Sequence, residues 1–183
     1  GGLNYSTLTV NQTAATTYGG TLDGNVTLLK RGSGTLTLAP TSPTGDTTVG
    51  NSYRGGTVIE EGTITVSQDS SLGFVPLNTR PDALRFNGGA LENTATMTIP
   101  VTRGITLDSG GSLFFVDNGT ILSIDSAITG PGSLTKAYSG TMQLNNATND
   151  YTGNTNVTYG TLQPGGTDVL APRSRHFIVG ELS

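Results

Sequence analysis

At 183 residues, with 33% hydrophobic and only 6% aromatic residues, the chain is too thinly apolar for one thick globular core. Its net charge of -4, without any stripe of Lys and Arg, argues against binding to a nucleic-acid backbone, and the absence of Cys removes disulfides, thiolate metal sites and thiol nucleophiles together. No stretch approaches the roughly 18 apolar residues of a membrane helix, and Gly1 to Val10 lacks the basic start and apolar run of a signal peptide.

From the N-terminus onward, apolar residues recur at every second position: Leu8 and Val10, Leu36 and Leu38, Ile64 and Val66, Leu113 and Phe115, Leu122 and Ile124. This alternation predicts short strands with those residues facing inward and Thr or Ser facing out. Glycine-rich breaks separate them, at Gly19-Gly20, Gly32-Ser33-Gly34, Gly55-Gly56, Asn87-Gly88-Gly89, Ser109-Gly110-Gly111, Asn118-Gly119 and Gly130-Pro131-Gly132, and each is a place to turn a corner. No run carries a 3.6-residue period, so helix content near zero is expected.

Sliding the sequence against itself shows a repeat. Ser6 to Pro40 matches Ser112 to Asn146 at an offset of about 106, with Val10, Leu28, Lys30, Gly34 and Leu38 recurring as Val116, Leu134, Lys136, Gly140 and Leu144. Asn51 to Val66 then matches Asn149 to Pro164 at an offset of about 98, which implies an insertion of about eight residues around Thr41 to Gly50 in the first copy. A further echo near the C-terminus sets Phe177, Val179 and Leu182 against Leu84, Phe86 and Leu91. The organisation expected is one continuous solenoid over 1–183, with repeats at about 6–66 and 112–164, linking coils at 67–111 and the start of another repeat at 165–183. The pattern opens and stops in mid-repeat, so targeting and anchoring segments are expected elsewhere in a longer protein.

Short strands and corners would also suit a sandwich or a propeller, but the scarcity of aromatics favours a narrow core of stacked Leu, Ile and Val. At roughly 20 to 25 residues per coil and about 4.8 Å of rise, the chain should make some eight coils. The segments Leu28 to Leu38 and Leu134 to Leu144, each followed by Tyr-x-Gly-x-Thr-x-Val/Ile-x-x-Gly-Thr-Leu/Ile, resemble the autotransporter-associated β-strand repeat, also called the passenger-associated transport repeat. Asn149 to Gln163 follows that pattern closely, Asn51 to Thr65 nearly as well, and Tyr138 departs from it by standing where Gly32 stands in the first copy. The resemblance implies an all-β, single-stranded, right-handed parallel β-helix (β-solenoid) in the passenger of a type V secreted bacterial protein, commonly an adhesin. It implies an outer-membrane barrel C-terminal to this segment, a host-cell or matrix glycan or protein as partner, and no catalytic, cofactor-binding or metal-binding residues here; a monomer is expected.

The chemistry-bearing residues each admit a plain structural reading. His176, the single histidine, stands beside Arg173 and Arg175 without a partner to orient it, and a surface loop is expected. Asp108-Ser109-Gly110-Gly111 looks like a serine-protease nucleophile segment, yet no His precedes it, and a glycine corner explains it better. Glu60 and Glu61 are read as a solvated corner before Gly62 rather than a carboxylate pair of a glycan-cleaving groove. Asp108, Asp117 and Asp125 could stack as a ladder on one face and hold calcium, although no nonapeptide array accompanies them. The Thr-x-Thr triplets at Thr7, Thr35, Thr63 and Thr96 would suit an ice-binding face only if they shared one side of the solenoid, and are read as outward polar positions.

Overall fold

The computed structural model describes residues 4–41, 50–167, 169–172, 175–178 and 181–182. These residues form a parallel β-solenoid with three faces. The first face is a six-stranded sheet made of β1 (Ser6–Asn11), β3 (Val26–Arg31), β5 (Thr57–Ile59), β7 (Arg80–Phe86), β10 (Arg103–Leu107) and β13 (Ile128–Thr129). The second has eight strands: β2 (Thr16–Tyr18), β4 (Thr35–Leu38), β6 (Thr63–Val66), β8 (Ala90–Asn93), β11 (Ser112–Val116), β14 (Leu134–Ala137), β16 (Thr155–Val157) and β18 (His176–Ile178). The third has five: β9 (Met97–Ile99), β12 (Ile121–Ile124), β15 (Thr141–Leu144), β17 (Thr161–Pro164) and β19 (Glu181–Leu182). A single 3₁₀ turn, Asp69–Leu72, is the one helical element among the described residues.

Every strand pair is parallel, so each coil lies over the next in register and inward side chains form columns. On the second face the column runs Leu36, Ile64, Leu91, Phe114, Lys136, Val157; on the first, Leu28, Thr57, Leu84, Ile105, Ile128; on the third, Met97, Leu122, Met142, Leu162. This packing buries aliphatic area while each strand satisfies its backbone groups with the coils above and below. The core is less purely aliphatic than expected. Phe86 and Phe114 meet at 4.9 Å between ring centroids, and Tyr53 and Tyr151 are fully enclosed.

Two expectations need correction. Leu113 and Phe115 are not the inward pair on β11: Phe114 and Val116 are fully buried, and Leu113 and Phe115 are half-buried on the outer surface. Four consecutive apolar residues leave the local alternation undecided, whereas the column fixes it, because Phe114 must lie between Leu91 and Lys136. The 106-residue repeat carried the right answer, since it aligns Phe114 with inward Leu8. Coil length also varies more than 20 to 25 residues: Leu28 lies beneath Thr57, a coil of 29, and Thr57 beneath Leu84, a coil of 27, while Thr141 lies beneath Thr161, a coil of 20. The surplus in the 29-residue coil has the size of the inserted segment; most of that segment, 42–49, lies outside the described residues, as do Val179 and the side chains of Phe177 and Leu182 in the C-terminal echo.

The two repeat copies do not sit above one another. Lys30 lies on β3 and Leu38 on β4, but their counterparts Lys136 and Leu144 lie on β14 and β15, one face further round. From Leu28 four coils lead through Thr57, Leu84 and Ile105 to Ile128, and one more corner reaches Leu134. The linking coils insert β9 on the third face, and the second copy is thereby rotated about the axis.

Candidate functional site

The signature residues of the repeat point into the solenoid and hold its coils together. Lys30 and Lys136 are fully buried in inward columns, Lys30 between Val10 and Ile59, and Lys136 between Phe114 and Val157. Their ammonium groups reach the corner and donate to main-chain carbonyls. Lys30 Nζ bonds the oxygens of Arg31 (2.8 Å), Gly32 (2.6 Å) and Glu61 (3.3 Å); Lys136 Nζ bonds those of Tyr138 and, at 2.9 Å, Tyr159. A lysine thus joins its own corner to the corner of the next coil, satisfying carbonyls that turn away from the ladder. Gly62 and Gly160 follow these acceptors with φ of 65° and 74°, and a Cβ on either would collide with the ammonium. That is the physical content of the Gly-Thr-Leu/Ile signature.

Burial holds the Lys30 ammonium below its usual pKa, opposed by the charge of Glu61. Lys136 has Tyr159 where Glu61 stands in the first copy, and burial brings it down to about 8. At the same corner Tyr138 adopts φ of 64°, the left-handed conformation that Gly32 takes at 73°, and its ring stacks on Phe115 at 4.5 Å.

The Asn-x-Tyr-x-Gly-x-Thr segment is a second clasp. Asn51 Oδ1 accepts from Leu22 N (2.8 Å) in the coil before, and its Nδ2 donates to Ser71 O (2.6 Å) in the coil after. Asn149 repeats this with Ile128 N (2.8 Å) and Val169 O (2.6 Å). The tyrosine hydroxyls, buried, share hydrogen bonds of 2.6 Å with Thr57 and Thr155. Gly55 and Gly153 pass so close to the preceding coil that a Cβ would strike Thr27 or Gly132.

Sequence reasoning did not single out the Arg103–Asp69 pair. Arg103, 1% exposed, directs Nε and Nη2 at the two carboxylate oxygens of Asp69 (2.8 and 3.0 Å) and donates to Leu72 O (2.9 Å) and Gly73 O (2.8 Å). It anchors the 3₁₀ turn in the corner. Burial pushes the Asp69 carboxyl up, with Arg103 pulling the other way. Neither residue lies in the repeat motif, so only an unpaired spacing of 34 residues separates them in the chain.

Of the chemistry-bearing residues described, only Glu60 and Asp108 share a groove, where Arg85 is ion-paired with Asp108. Asp108, Asp117 and Asp125 do not form a ladder on one face: they follow β10, β11 and β12 and so stand at three different corners of one coil. Asp108 is held by Arg85 through two bonds, at 2.6 and 2.9 Å, and Asp125 accepts from Asn145 at 2.7 Å. Glu60 pairs with Arg31 at 2.6 Å and Glu61 accepts from Gly32 N at 3.1 Å, both in the turn before Gly62. Ser109 to Gly111 form the corner between β10 and β11. His176 begins β18 rather than lying in a loop, and its side chain, with Arg173, is outside the described residues. The Thr-x-Thr triplets fall on all three faces. Among the described residues no three His, Asp or Glu side chains are grouped so as to hold a metal ion, and no helix is long and apolar enough to cross a membrane.

Comparison with known proteins agrees with this interior. Residues 28–66 and 134–163 match the family described as Passenger-associated-transport-repeat, and these are the two stretches that carry the lysine and asparagine clasps. Over 155 residues the chain is 40% identical to a protein of Brucella suis biovar 1 (strain 1330) named Adhesin BmaC autotransporter, covering 80% of this chain and 4% of that protein. No solved structure matches.

Proposed function

Because this chain belongs to the passenger-associated transport repeat family of autotransporter passengers, we propose that it is a structural and adhesive segment of a bacterial surface protein, displayed outside the cell and carrying out no catalysis of its own. The observation that carries this reading is the continuous solenoid whose motif residues are all consumed by stacking. Such a rod transmits position: it sets a distance between an anchor and a surface, and offers its three outer faces along the way. An outer-membrane barrel elsewhere in the parent protein and a host-cell or matrix glycan or protein as its target belong to the same proposal, as does a monomeric state.

The test is replacement in the parent protein. Bacteria whose passenger lacks this segment should adhere less to epithelial or matrix-coated surfaces. An unrelated β-solenoid of equal height should restore adhesion if the segment is a spacer, and should not if its own faces make the contact. Unchanged surface delivery and adhesion after clean deletion would overturn the proposal.

A further inference from the structure

The outer surface where the first coil, the Tyr53–Gly55 turn and the loop before β7 meet is concave, with a cavity of about 400 Å³, within the size range of small-ligand sites. Tyr5, Arg54, Phe74, Leu77, Asn78 and Arg80 line it. The loop of 73–79 is the surplus of the 27-residue coil, and Leu77 on it is 83% exposed. Arg54 occupies the first free position after Tyr53 in the Asn-x-Tyr-x-Gly-x-Thr clasp, where the second copy has Thr152.

The charge arrangement is specific. Arg31, Arg80, Arg85 and Arg103 each pair with a carboxylate, on Glu60, Asp82, Asp108 and Asp69 respectively. Arg54 lies instead over the Phe74 ring, 4.3 Å from its centroid. Asp23 feels its charge but takes its hydrogen bonds from Ser52 Oγ and Gly24 N. Arg80 is fixed by the carbonyls of Arg54 (2.5 Å) and Gly55 (2.8 Å) and sits 5.2 Å from the Tyr5 ring. Because Asp82 meets the charge of Arg80, the positive charge this groove offers in a chain of net charge -4 is that of Arg54, braced over the Phe74 ring.

We infer that this groove binds a carboxylate-bearing sugar, such as a terminal sialic or uronic acid of a glycan. The Arg54 fork matches a carboxylate, while Phe74, Tyr5 and Leu77 add apolar surface and Asn78 and Thr79 add hydrogen-bonding groups to the same lining, the mixture a pyranose ring with its C–H patches and hydroxyls calls for. An acidic peptide would satisfy the charge without using the ring faces. The inference gives the adhesive reading above a ligand class and rests on that reading for its biological role.

Saturation-transfer NMR on the purified chain tests it, with the methyl glycosides of N-acetylneuraminic acid and glucuronic acid as probes, methyl galactoside as the neutral control and hexaglutamate as the peptide control. Transfer to at least one acidic sugar is expected, weakened by salt and at least tenfold by Arg54→Gln, while the circular dichroism spectrum stays unchanged. Phe74→Ala should weaken it independently. Absence of transfer to both acidic sugars, equal transfer to methyl galactoside, or indifference to Arg54→Gln would overturn the inference, and displacement by hexaglutamate at lower concentration than the sugar would reassign the groove to peptides. Sugar binding by a segment whose deletion leaves adhesion intact would sink the adhesive reading and leave the site; adhesion loss without sugar binding would do the reverse.

Discussion

Lys136 shows how one residue links sequence signature, corner geometry and pH. An unfolded lysine titrates near 10.4, and the folded group is down at about 8, because burial disfavours its charge. Between these values the unfolded chain binds more protons, so stability should rise as pH increases from about 8 to about 10.5. Below pH 8 both states are charged and the full burial cost is present. Urea unfolding at several pH values should show this rise in the native chain and a smaller one in Lys136→Met, where only Lys30, also held below its usual pKa, still contributes. At pH 7 the same variant leaves the carbonyls of Tyr138 and Tyr159 without their donor, a loss of roughly 1 to 3 kcal/mol, but also sheds the burial cost of the charge, so its net destabilisation should be smaller than that loss. Gly160→Ala belongs to the same corner: with φ of 74° and the ammonium in the way of a Cβ, it should cost at least about 1 kcal/mol by the same measurement.

At the scale of the element, the corners differ in what holds them. The 3₁₀ turn is tied down by Arg103, so Asp69→Ala leaves a buried guanidinium without its counter-ion and should cost about 3 to 5 kcal/mol. Pairing it with Arg103→Met should recover part of that loss, and thermal unfolding of the two variants decides the point; no recovery would mean that the turn stands on other contacts. The asparagine clasp acts between coils. Asn149→Ala removes bonds to the coil before and the coil after, each worth about 1 kcal/mol, and leaves Ile128 N and Val169 O to find new partners. Hydrogen exchange should then accelerate in β13 and β16 while β4 to β8 keep their protection.

For the whole molecule, stability is close to a sum over neighbouring coils, because each strand pairs only with the coil above and the coil below. In the 183-residue segment taken by itself, a core truncation in the middle of the stack should therefore cost more than one in the coil of Leu8, which is 39% exposed although its column is inward. Phe114→Ala, enclosed by Leu91 and Lys136 and touching Phe86, is expected to lose about 3 to 5 kcal/mol. Leu8→Ala should lose less than half of that. Comparable losses would show that the stack melts as one cooperative block with no weak end.

Much of this was legible in the linear pattern. Alternating Leu, Ile and Val with glycine corners specified strands and turns, and the 106-residue echo placed Lys30 with Lys136 and Asn51 with Asn149, because those signals are local or repeat at fixed spacing. The burial of both lysines, the Arg103–Asp69 pair and the rotation of the second repeat by one face were decided only when the coils stacked, and the side on which Phe114 faces, implicit in the repeat, was undecided by its own strand. A strand alone has two equivalent sides and a corner alone has no inside. What breaks these equivalences is the neighbouring coil, which lies 20 to 29 residues away and supplies the column, the carbonyl cage or the carboxylate that each side chain meets.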